Sequence, residues 1–598
     1  MKKLKKLLYL LSINERRHTI LILVTTLIMA LIDMLGVASI MPFIAVLMKP
    51  DIIETNYFLK ATFEITTSIG IETNQEFLFF LGIIVFLFLI ISLLFRAMTT
   101  YLQLRFTHHL EFSIGKRLVE NYLHQPYSWF LNRNSAEIGK TILSEVGFVI
   151  GNGINPLVSI ISQFIVVLTL VVLLMVVDPW LTIIVFCVLG LAYSFIFILL
   201  KNFLSNIGKQ RVKANEGRYL SVIEAFGAAK EIKVGNLEET YTQRFSKPAK
   251  NYSIYQALAS ATSTLPRFVI EAIAFGGLIL ILLYLMNKSD NLNTALPIIS
   301  LYAFAGYRLM PALQNIYSAS SSLRYLGPAL DKLHNDIRSL KSINFDNKKN
   351  KIISLKKAIT LSNIDYHYPN TSKSIIKNID LKIPAHTNVG IVGTTGSGKT
   401  TIVDIILGLL EPQQGTLEVD GQIINQFNNK IWRKSIGYVP QQIYLSDNTI
   451  AANIAFGLNS ENINHLAVQR AAKIANLHQF VFNELPAKYN TIIGERGIRL
   501  SGGQRQRIGI ARALYFNPQV LIFDEATSAL DNLTEQAIME TLNNLDKEIT
   551  TITVAHRLQT VKECKIIFFI ENGKLKDQGN FDELSKKNKK FRDMAGMD

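Results

Sequence analysis

The stretch Gly393-Thr394-Thr395-Gly396-Ser397-Gly398-Lys399-Thr400 decides the fold of the second half of this 598-residue chain. Its glycines let backbone N–H groups close on the phosphates of a nucleotide, as in a phosphate-binding loop between a strand and a helix. In this pattern Lys399 reaches the β- and γ-phosphate oxygens and the hydroxyl of Thr400 is a ligand for Mg²⁺. We count Thr401, the next residue, among the nucleotide-binding residues. The stretch therefore predicts a nucleotide-binding α/β domain.

Two further motifs follow this loop. Val520-Leu521-Ile522-Phe523-Asp524-Glu525 is an apolar run of the parallel-strand type that ends in two carboxylates. We expect Asp524 to hold the metal through water and Glu525 to activate the attacking water as a general base. Between loop and strand lies Leu500-Ser501-Gly502-Gly503-Gln504. Here Ser501 is expected to begin a helix whose free N–H groups and positive dipole end face an anion.

Together the three motifs resemble the ATP-binding cassette of ABC transporters. The resemblance implies that Tyr368 stacks on adenine, with Tyr366 as the competing choice. It also implies that Gln441 contacts Mg²⁺ and the attacking water, and that His556 contacts the γ-phosphate. Ser528-Ala529-Leu530-Asp531 corresponds to the loop that crosses between subunits.

The same resemblance bears on assembly and cofactors. In the family, the residues matching Ser501, Gly502, Gly503 and Gln504 bind the ATP held by a second cassette. Because this chain has one such motif set, the resemblance implies a homodimer with two composite sites. ATP and Mg²⁺ are the implied cofactors.

Composition places the rest of the chain in a membrane. The mean hydropathy is +0.25, 34 residues are Phe and 18% are charged, which is unusual for a soluble protein. The formal net charge of 62 − 46 = +16 is compatible with nucleic acid, but anionic lipid explains basic loops beside apolar segments equally well. We therefore expect membrane lipid and no nucleic acid as a partner. The two cysteines form no disulfide framework or metal-ligand spacing.

Six segments are long and apolar enough to span a bilayer; they run over approximately 18–48, 77–104, 142–177, 180–203, 255–287 and 293–318. The 49–76 loop carries five acidic residues against two lysines, whereas the 201–254 region is rich in Lys and Arg. The positive-inside rule then puts both termini and the cassette in the cytoplasm. The basic first residues, Met1-Lys2-Lys3-Leu4-Lys5-Lys6, predict an amphipathic helix on the inner membrane surface.

The predicted fold class is a multidomain membrane protein. It joins an all-α, six-helix transmembrane domain of the ABC exporter type to an α/β P-loop NTPase cassette domain. We expect the membrane domain over 1–325, a polar linker over 326–352 and the cassette over 353–598. Within the cassette, Asp420-Gly421 predicts a hairpin turn.

Charged residues inside the predicted spans are candidates for substrate binding. Each arginine at bilayer depth costs about 2.5–3.5 kcal/mol on insertion scales, so it should face a protein interior or a wet cavity. We expect Arg96, Arg267 and Arg308 to bind an anionic substrate. The alternatives are internal pairing, of Arg267 with Glu271 four residues on or of an arginine with Asp33, and snorkelling of Arg96 to the interface.

The membrane motifs support a narrower resemblance. Met41-Pro42-Phe43-Ile44, Leu94-Phe95-Arg96-Ala97, Leu265-Pro266-Arg267-Phe268 and Tyr307-Arg308-Leu309-Met310-Pro311 resemble bacterial lipid-linked-oligosaccharide flippases of the PglK type. The resemblance implies an ATP-driven flippase of the bacterial inner membrane that moves a polyprenyl-pyrophosphate-linked oligosaccharide outwards. The alternative is export of another amphiphile, such as a lipid A-type lipid, a peptide or a drug. A regulatory ABC protein and a soluble ABC ATPase are disfavoured by the intact Glu525 and by the apolar spans.

Overall fold

The computed structural model describes residues 2–48, 50–67, 70–288, 292–340, 353–369, 371, 373–526, 538, 540, 549–555 and 557–595. The chain divides into two compact units. The first consists of Met1–Gln125 and Arg133–Ile343, and the second of Pro126–Asn132 and Asn344–Asp598. The structure thus separates a helical unit from an α/β unit.

The first unit is built from helices. They are α1 (Lys2–Leu10), α2 (Ile13–Ala38), α3 (Ile40–Met48), α4 (Ile52–Thr55), α5 (Tyr57–Thr67), α6 (Asn74–Leu123), α8 (Ser135–Lys140), α9 (Val146–Val149), α10 (Asn155–Val177), α11 (Pro179–Gly227), α12 (Ala229–Gly235), α13 (Glu238–Thr264), α14 (Pro266–Lys288) and α15 (Leu292–Ser339), with the short α7 (Tyr127–Leu131) in the second unit. Among the described residues, four helical stretches are long and apolar enough to cross a membrane: Ile13–Gly36, Asn74–Leu123, Ser135–Val177 and Pro179–Gly227. The fifth predicted span falls on the end of α13 and on α14, and the sixth falls on α15, on the two sides of the gap at 289–291 in the described residues.

Two of the predicted spans are broken at prolines. The first, expected to be continuous over 18–48, is interrupted at Ser39, three residues before Pro42. The fifth is interrupted at Leu265, just before Pro266. Proline has no N–H to donate to the carbonyl four residues earlier, so both helices lose a hydrogen bond there. At the second break α15 repairs the loss, because the Tyr317 hydroxyl donates to the Thr262 carbonyl at 3.1 Å.

The helix over Ser135–Val177 contains two π-helical turns, Thr141–Glu145 and Ile150–Ile154. The first ends at a buried ion pair, in which Arg211 Nη1 donates to Glu145 Oε2 at 2.6 Å. Asn215 Nδ2 donates to the other oxygen of Glu145 at 2.6 Å, and the Arg211 guanidinium lies 3.6 Å from the Phe148 ring centroid. A buried network therefore ties this helix to α11 next to the π turns.

The predicted linker over 326–352 begins too early. Helix α15 continues to Ser339, and Leu326, Ala329, Leu330 and Leu333 on it are at most 3% exposed. These apolar positions recur at helical spacing and pack into the first unit. The first polar residues that suggested a linker, Asp331 to Ser339, therefore lie on this helix, whereas residues 341–352 lie outside the described residues.

The second unit holds two sheets. Strands β1 (Ala358–Tyr366), β2 (Ile376–Pro384), β4 (Gln414–Val419) and β5 (Gln422–Ile424) form an antiparallel sheet in the order β2-β1-β4-β5. Strands β3 (Asn388–Gly393), β6 (Ile436–Val439), β7 (Val520–Asp524), β8 (Thr550–Ala555), β9 (Ile566–Glu571) and β10 (Lys574–Gly579) form the order β10-β9-β3-β8-β7-β6. The β9, β3, β8, β7 and β6 strands pair in parallel, so their carboxyl ends share one edge.

The cassette helices are α16 (Lys399–Ile406), α17 (Asn429–Arg433), α18 (Ile450–Ile454), α19 (His465–Ile474), α20 (His478–Asn483), α21 (Gly502–Leu514), α22 (Phe581–Lys587) and α23 (Lys589–Met594). The predicted hairpin joins β4 to β5, with positive φ at both Asp420 and Gly421. That pair of angles is the turn geometry that suits the twist of antiparallel strands.

Candidate functional site

The phosphate-binding loop lies between β3 and α16, at the carboxyl edge of the parallel sheet. Gly393 ends the strand, Thr394 and Thr395 are exposed, and Gly396 and Gly398 have φ of 77° and 102°. A Cβ at Gly398 would approach Ile376 Cδ1 to 2.6 Å. Glycine is therefore required there both by backbone angle and by space.

Lys399 and Ser397 point into this loop. The Lys399 side chain is buried, and its ammonium donates to the carbonyls of Gly393 at 2.9 Å and Thr394 at 3.2 Å. Burial lowers the pKa of Lys399, although the Glu525 and Asp524 carboxylates oppose that shift. The Ser397 hydroxyl is buried without a hydrogen-bond partner among the described residues. A buried ammonium and an unsatisfied hydroxyl in one loop fit a phosphate group.

The two carboxylates at the end of β7, Asp524 and Glu525, lie in different environments. Asp524 is 6% exposed, and its Oδ2 accepts a hydrogen bond from the Tyr438 hydroxyl at 3.2 Å. Glu525 has a φ of 52°, a left-handed conformation that is uncommon for a side-chain-bearing residue. Its Oε2 accepts a hydrogen bond from Gln441 Nε2 at 2.6 Å. The structure thus brings Glu525 and Gln441 into hydrogen-bond contact, and their roles towards Mg²⁺ and the attacking water stay predictions.

The residues predicted to hold Mg²⁺ are Thr400, Gln441 and Asp524. Thr400 is exposed at the start of α16. Asp404, further along the same helix, is a neighbour of this site, and its burial, together with the charge of Asp524, raises its pKa to about 6. In the described part of the chain, no group of three or more His, Cys, Asp or Glu side chains is arranged to hold a metal. A hydroxyl, an amide and one carboxylate fit a hard cation that also takes oxygens from a bound phosphate.

Tyr368 and Tyr366 differ in burial. Tyr366 lies inside β1, is 3% exposed and belongs to the core of the sheets. Tyr368 is partly exposed, and its hydroxyl lies 3.1 Å from the Thr401 hydroxyl. The position of Tyr368 beside α16 makes it the better candidate for contact with a nucleotide base.

The signature Leu500-Ser501-Gly502-Gly503-Gln504 forms the start of α21. The Ser501 hydroxyl accepts from the Gln504 N–H at 3.2 Å, and the Gln504 side chain accepts from the Ser501 N–H at 2.8 Å. Ser501 is exposed, while Gly502, Gly503 and Gln504 are partly exposed. This capping box sets the helix start at the surface, where its positive end is accessible to an anion.

Some predicted residues lie outside the described residues, and others were missed. His556 and Ser528-Ala529-Leu530-Asp531 belong to the first group. Tyr438 and Asp404 belong to the second, because the sequence assigned neither a role, although Tyr438 begins the Tyr438-Val439-Pro440-Gln441 string that contains Gln441. The pairing of strand β6 with β7 brings Tyr438 to Asp524.

A polar cavity of about 310 Å³ lies among the helices of the first unit. Its lining includes Arg96, Gln103, Asn155, Gln163, Asn315 and Ser318, from α6, α10 and α15. Gln103 also contacts the hydroxyls of Thr26 and Ser162 at 3.4 and 3.5 Å. Polar side chains facing such a cavity avoid the cost of exposure to lipid.

The three candidate arginines have different partners. Arg267 Nε donates to Glu271 Oε1 at 2.5 Å, and Arg308 Nη1 lies 3.6 Å from Asp33 Oδ1. The internal pairing considered from the sequence therefore applies to both. Arg96 lines the polar cavity and its side chain has no hydrogen bond or ion pair among the described residues.

These features define an ABC transporter, and comparison with known protein families agrees. The model described as ABC transporter matches residues 376–528, and the model described as ABC transporter transmembrane region matches residues 19–308. The chain belongs to this family. It is a membrane-spanning, ATP-hydrolysing half-size exporter with one cassette.

Individual relatives cover most of the chain. The heterocyst differentiation ATP-binding protein HepA of Nostoc sp. is 30% identical over 511 residues, which are 83% of this chain and 81% of the relative. An ATP-dependent lipid A-core flippase of Saccharophagus degradans is 30% identical over 473 residues, 79% of each chain. A bacterial Atm1-family ABC exporter solved with ATP bound has a TM-score of 0.80 at 21% identity, covering 96% of this chain and 98% of that one. The predicted fold class is confirmed.

Replacing Tyr368 with alanine is expected to weaken ATP binding about tenfold, because an aromatic face stacked on a base contributes about 1–3 kcal/mol. Tyr366→Ala is the matched control. It removes a core side chain and is expected to lower the melting temperature, with a smaller effect on the affinity of the folded protein. Titration of purified protein with a fluorescent ATP analogue measures both affinities. Equal affinities in the wild type and Tyr368→Ala would contradict the stacking role.

Proposed function

We propose that this exporter moves a phosphorylated glycolipid from the cytoplasmic to the outer leaflet of the bacterial inner membrane. The observation that carries the proposal is the polar cavity with Arg96 in its wall. A guanidinium without a carboxylate partner, at a place predicted to lie within the bilayer, favours a ligand that brings its own anion. Phosphate suits this role because guanidinium donors match its oxygens in pairs.

The rest of the lining favours a head group with hydroxyls as well as phosphate. Gln103, Asn155, Gln163 and Asn315 each offer both a donor and an acceptor through their amides. Sugar hydroxyls pair with such groups. A drug or an apolar peptide would instead call for aromatic and aliphatic walls, so the cavity supports a glycolipid over these alternatives.

Two known kinds of lipid share this chemistry. One is the lipid A core, which appears in the name of the flippase from Saccharophagus degradans. The other is the polyprenyl-pyrophosphate-linked oligosaccharide that the membrane motifs suggest. Both combine phosphate and sugars with an apolar anchor. The lipid A-type lipid is supported by a relative that spans most of the chain, and the polyprenyl-linked one by the resemblance of short motifs.

The proposal includes a homodimer, because one chain carries one phosphate loop and one signature helix. Lys399 of one subunit and Ser501 of the other would then face the same ATP. Mg²⁺ held by Thr400, Gln441 and Asp524 would neutralise charge on the phosphates. The proposal also puts the 201–254 region, both termini and the cassette on the cytoplasmic side, and the excess of Lys and Arg over 201–254 supports this orientation.

The test is reconstitution of the purified protein into liposomes with ATP and Mg²⁺. We expect ATP-dependent movement of labelled lipid A or of a labelled polyprenyl-pyrophosphate oligosaccharide, and the two arms decide between them. The Glu525→Gln variant is the control for coupling to hydrolysis. An active ATPase that moves neither lipid would overturn the proposal and redirect the search to other cargo.

A further inference from the structure

Three polar side chains from three different helices meet inside the first unit. Asp33 on α2 is 4% exposed at its side chain, and Arg308 on α15 is 12% exposed. Arg308 Nη1 lies 3.6 Å from Asp33 Oδ1, and the hydroxyl of Ser92 on α6 donates to the same oxygen. We refer to Asp33, Ser92 and Arg308 as the charge layer. A buried carboxylate thus holds this arginine, and a hydroxyl fixes the carboxylate.

The charge layer lies next to the polar cavity on each of the three helices. Asp33 is four residues after Met29, which lines the cavity, and Ser92 is four residues before Arg96. Four residues of helix correspond to about 6 Å along the axis. Arg308 is seven residues, about 10 Å, before Asn315, another lining residue. These three spacings all put the charge layer on the same side of the cavity if, as predicted, α2 runs from the cytoplasm outwards and α6 and α15 run back towards it. The layer then lies on the outer side of the cavity.

The two arginines are therefore successive positions for an anion. Arg96 faces the cavity without a carboxylate partner among the described residues, whereas Arg308, one layer further out, is held by Asp33. A phosphate oxygen and a carboxylate oxygen compete for the same guanidinium donors. An arriving phosphate can replace Asp33 at Arg308, and Asp33 can later take the arginine back.

We propose that Asp33 is a positioning residue for transport, which occupies Arg308 until the phosphate of the lipid, bound first at Arg96, displaces it. This inference rests on the proposed function, since it needs a phosphorylated cargo. Asp33 acts in two ways. It neutralises a buried arginine between transport cycles, and it competes with the phosphate, which keeps the lipid from being held too tightly to leave.

Replacing Asp33 with asparagine tests this role, because the amide keeps the shape and the contact with Ser92 but removes the competing charge. The probe is whichever of labelled lipid A and labelled polyprenyl-pyrophosphate oligosaccharide the wild type moves. We expect KM for that lipid to fall about fivefold and kcat for transport to fall about tenfold, because the phosphate stays on Arg308. A purely structural role would lower kcat without lowering KM.

A double-variant cycle asks whether Asp33 acts through Arg308. Arg308→Gln should raise KM, and the Asp33→Asn/Arg308→Gln pair should match Arg308→Gln alone, with the gain in affinity lost. Ser92→Ala removes the hydroxyl that fixes Asp33 and leaves no charge unpaired, so it should lower KM about twofold. It is the second test of this role if Asp33→Asn folds poorly. Glu15→Gln, which removes the carboxylate that pairs with Arg117 at 3.3 Å near the start of α2, is the control away from the cavity and should leave KM unchanged.

The outcomes separate this inference from the proposed function. A wild type that moves neither lipid would remove the proposed function and this inference with it. A wild type that moves a lipid, together with unchanged or raised KM in both Asp33→Asn and Ser92→Ala, would overturn this inference alone. A fall in KM that persists in the double variant would also overturn it, because Asp33 would then act without Arg308.

Discussion

Replacing Glu525 with glutamine is expected to lower the rate of ATP hydrolysis by about a hundredfold to ten-thousandfold, while ATP still binds. A general base contributes a factor of that size, because it takes the proton of the attacking water as the bond forms. Glutamine keeps the length of the side chain and can still accept the hydrogen bond that Gln441 Nε2 donates to Glu525 Oε2. The substitution therefore removes the base while leaving its surroundings in place.

Phosphate release from the purified protein measures hydrolysis, and a fluorescent ATP analogue measures binding. Glu484→Gln, at an exposed position after α20, is a matched control and should hydrolyse ATP at the wild-type rate. Continued hydrolysis by Glu525→Gln would show that another group is the base. Loss of both binding and hydrolysis would instead assign Glu525 a role in holding the nucleotide.

Replacing Glu145 with alanine is expected to give a large loss of stability, of about 3–5 kcal/mol, because a buried charge loses its partner. The Arg211 side chain is 1% exposed, and Glu145 accepts hydrogen bonds from both Arg211 and Asn215. Stacking on Phe148 would remain but cannot replace the anion. We expect the melting temperature of the purified protein to fall by about 5–10 °C.

Two further variants control this prediction, one at an exposed ion pair and one at Arg211 itself. Glu238→Ala breaks an exposed pair with Lys233, and exposed pairs contribute little, so its melting temperature should remain near the wild-type value. Adding Arg211→Met to Glu145→Ala removes the unpaired charge and should recover most of the loss. An unchanged melting temperature in Glu145→Ala would mean that water or another group compensates Arg211.

The α/β fold of the cassette and its candidate nucleotide-binding residues could be predicted because these residues lie in short sequence motifs. The phosphate loop, the two carboxylates after β7 and the capping Ser501 each depend on neighbours within a few residues. Asp524 and Tyr438 show the limit of that approach, since they stand 86 positions apart and meet only because β6 pairs with β7. His556 stays a prediction, as it lies outside the described residues.

The contacts of the membrane half were harder to predict, because they join helices that are far apart in the sequence. The sequence flagged Asp33, Arg96, Arg267 and Arg308 as costly charges and offered Glu271 as a partner for Arg267, but it did not indicate which arginine would pair with Asp33. Ser92 gave no signal, although it donates to Asp33 across 59 positions. The breaks near Pro42 and Pro266 were readable in principle, because a proline cannot donate a hydrogen bond to the carbonyl four residues earlier. The π turns, in contrast, have no simple sequence signature.

The length of α6 has a mechanical consequence. Its 50 residues extend about 75 Å, more than twice the thickness of the hydrocarbon core. A rigid rod of that length acts as a lever, and a tilt of about 5° moves one end by about 6 Å relative to the other. That displacement is across the axis of the helix, so a small tilt about one end is sufficient to carry side chains at the other end out of hydrogen-bond reach of their partners.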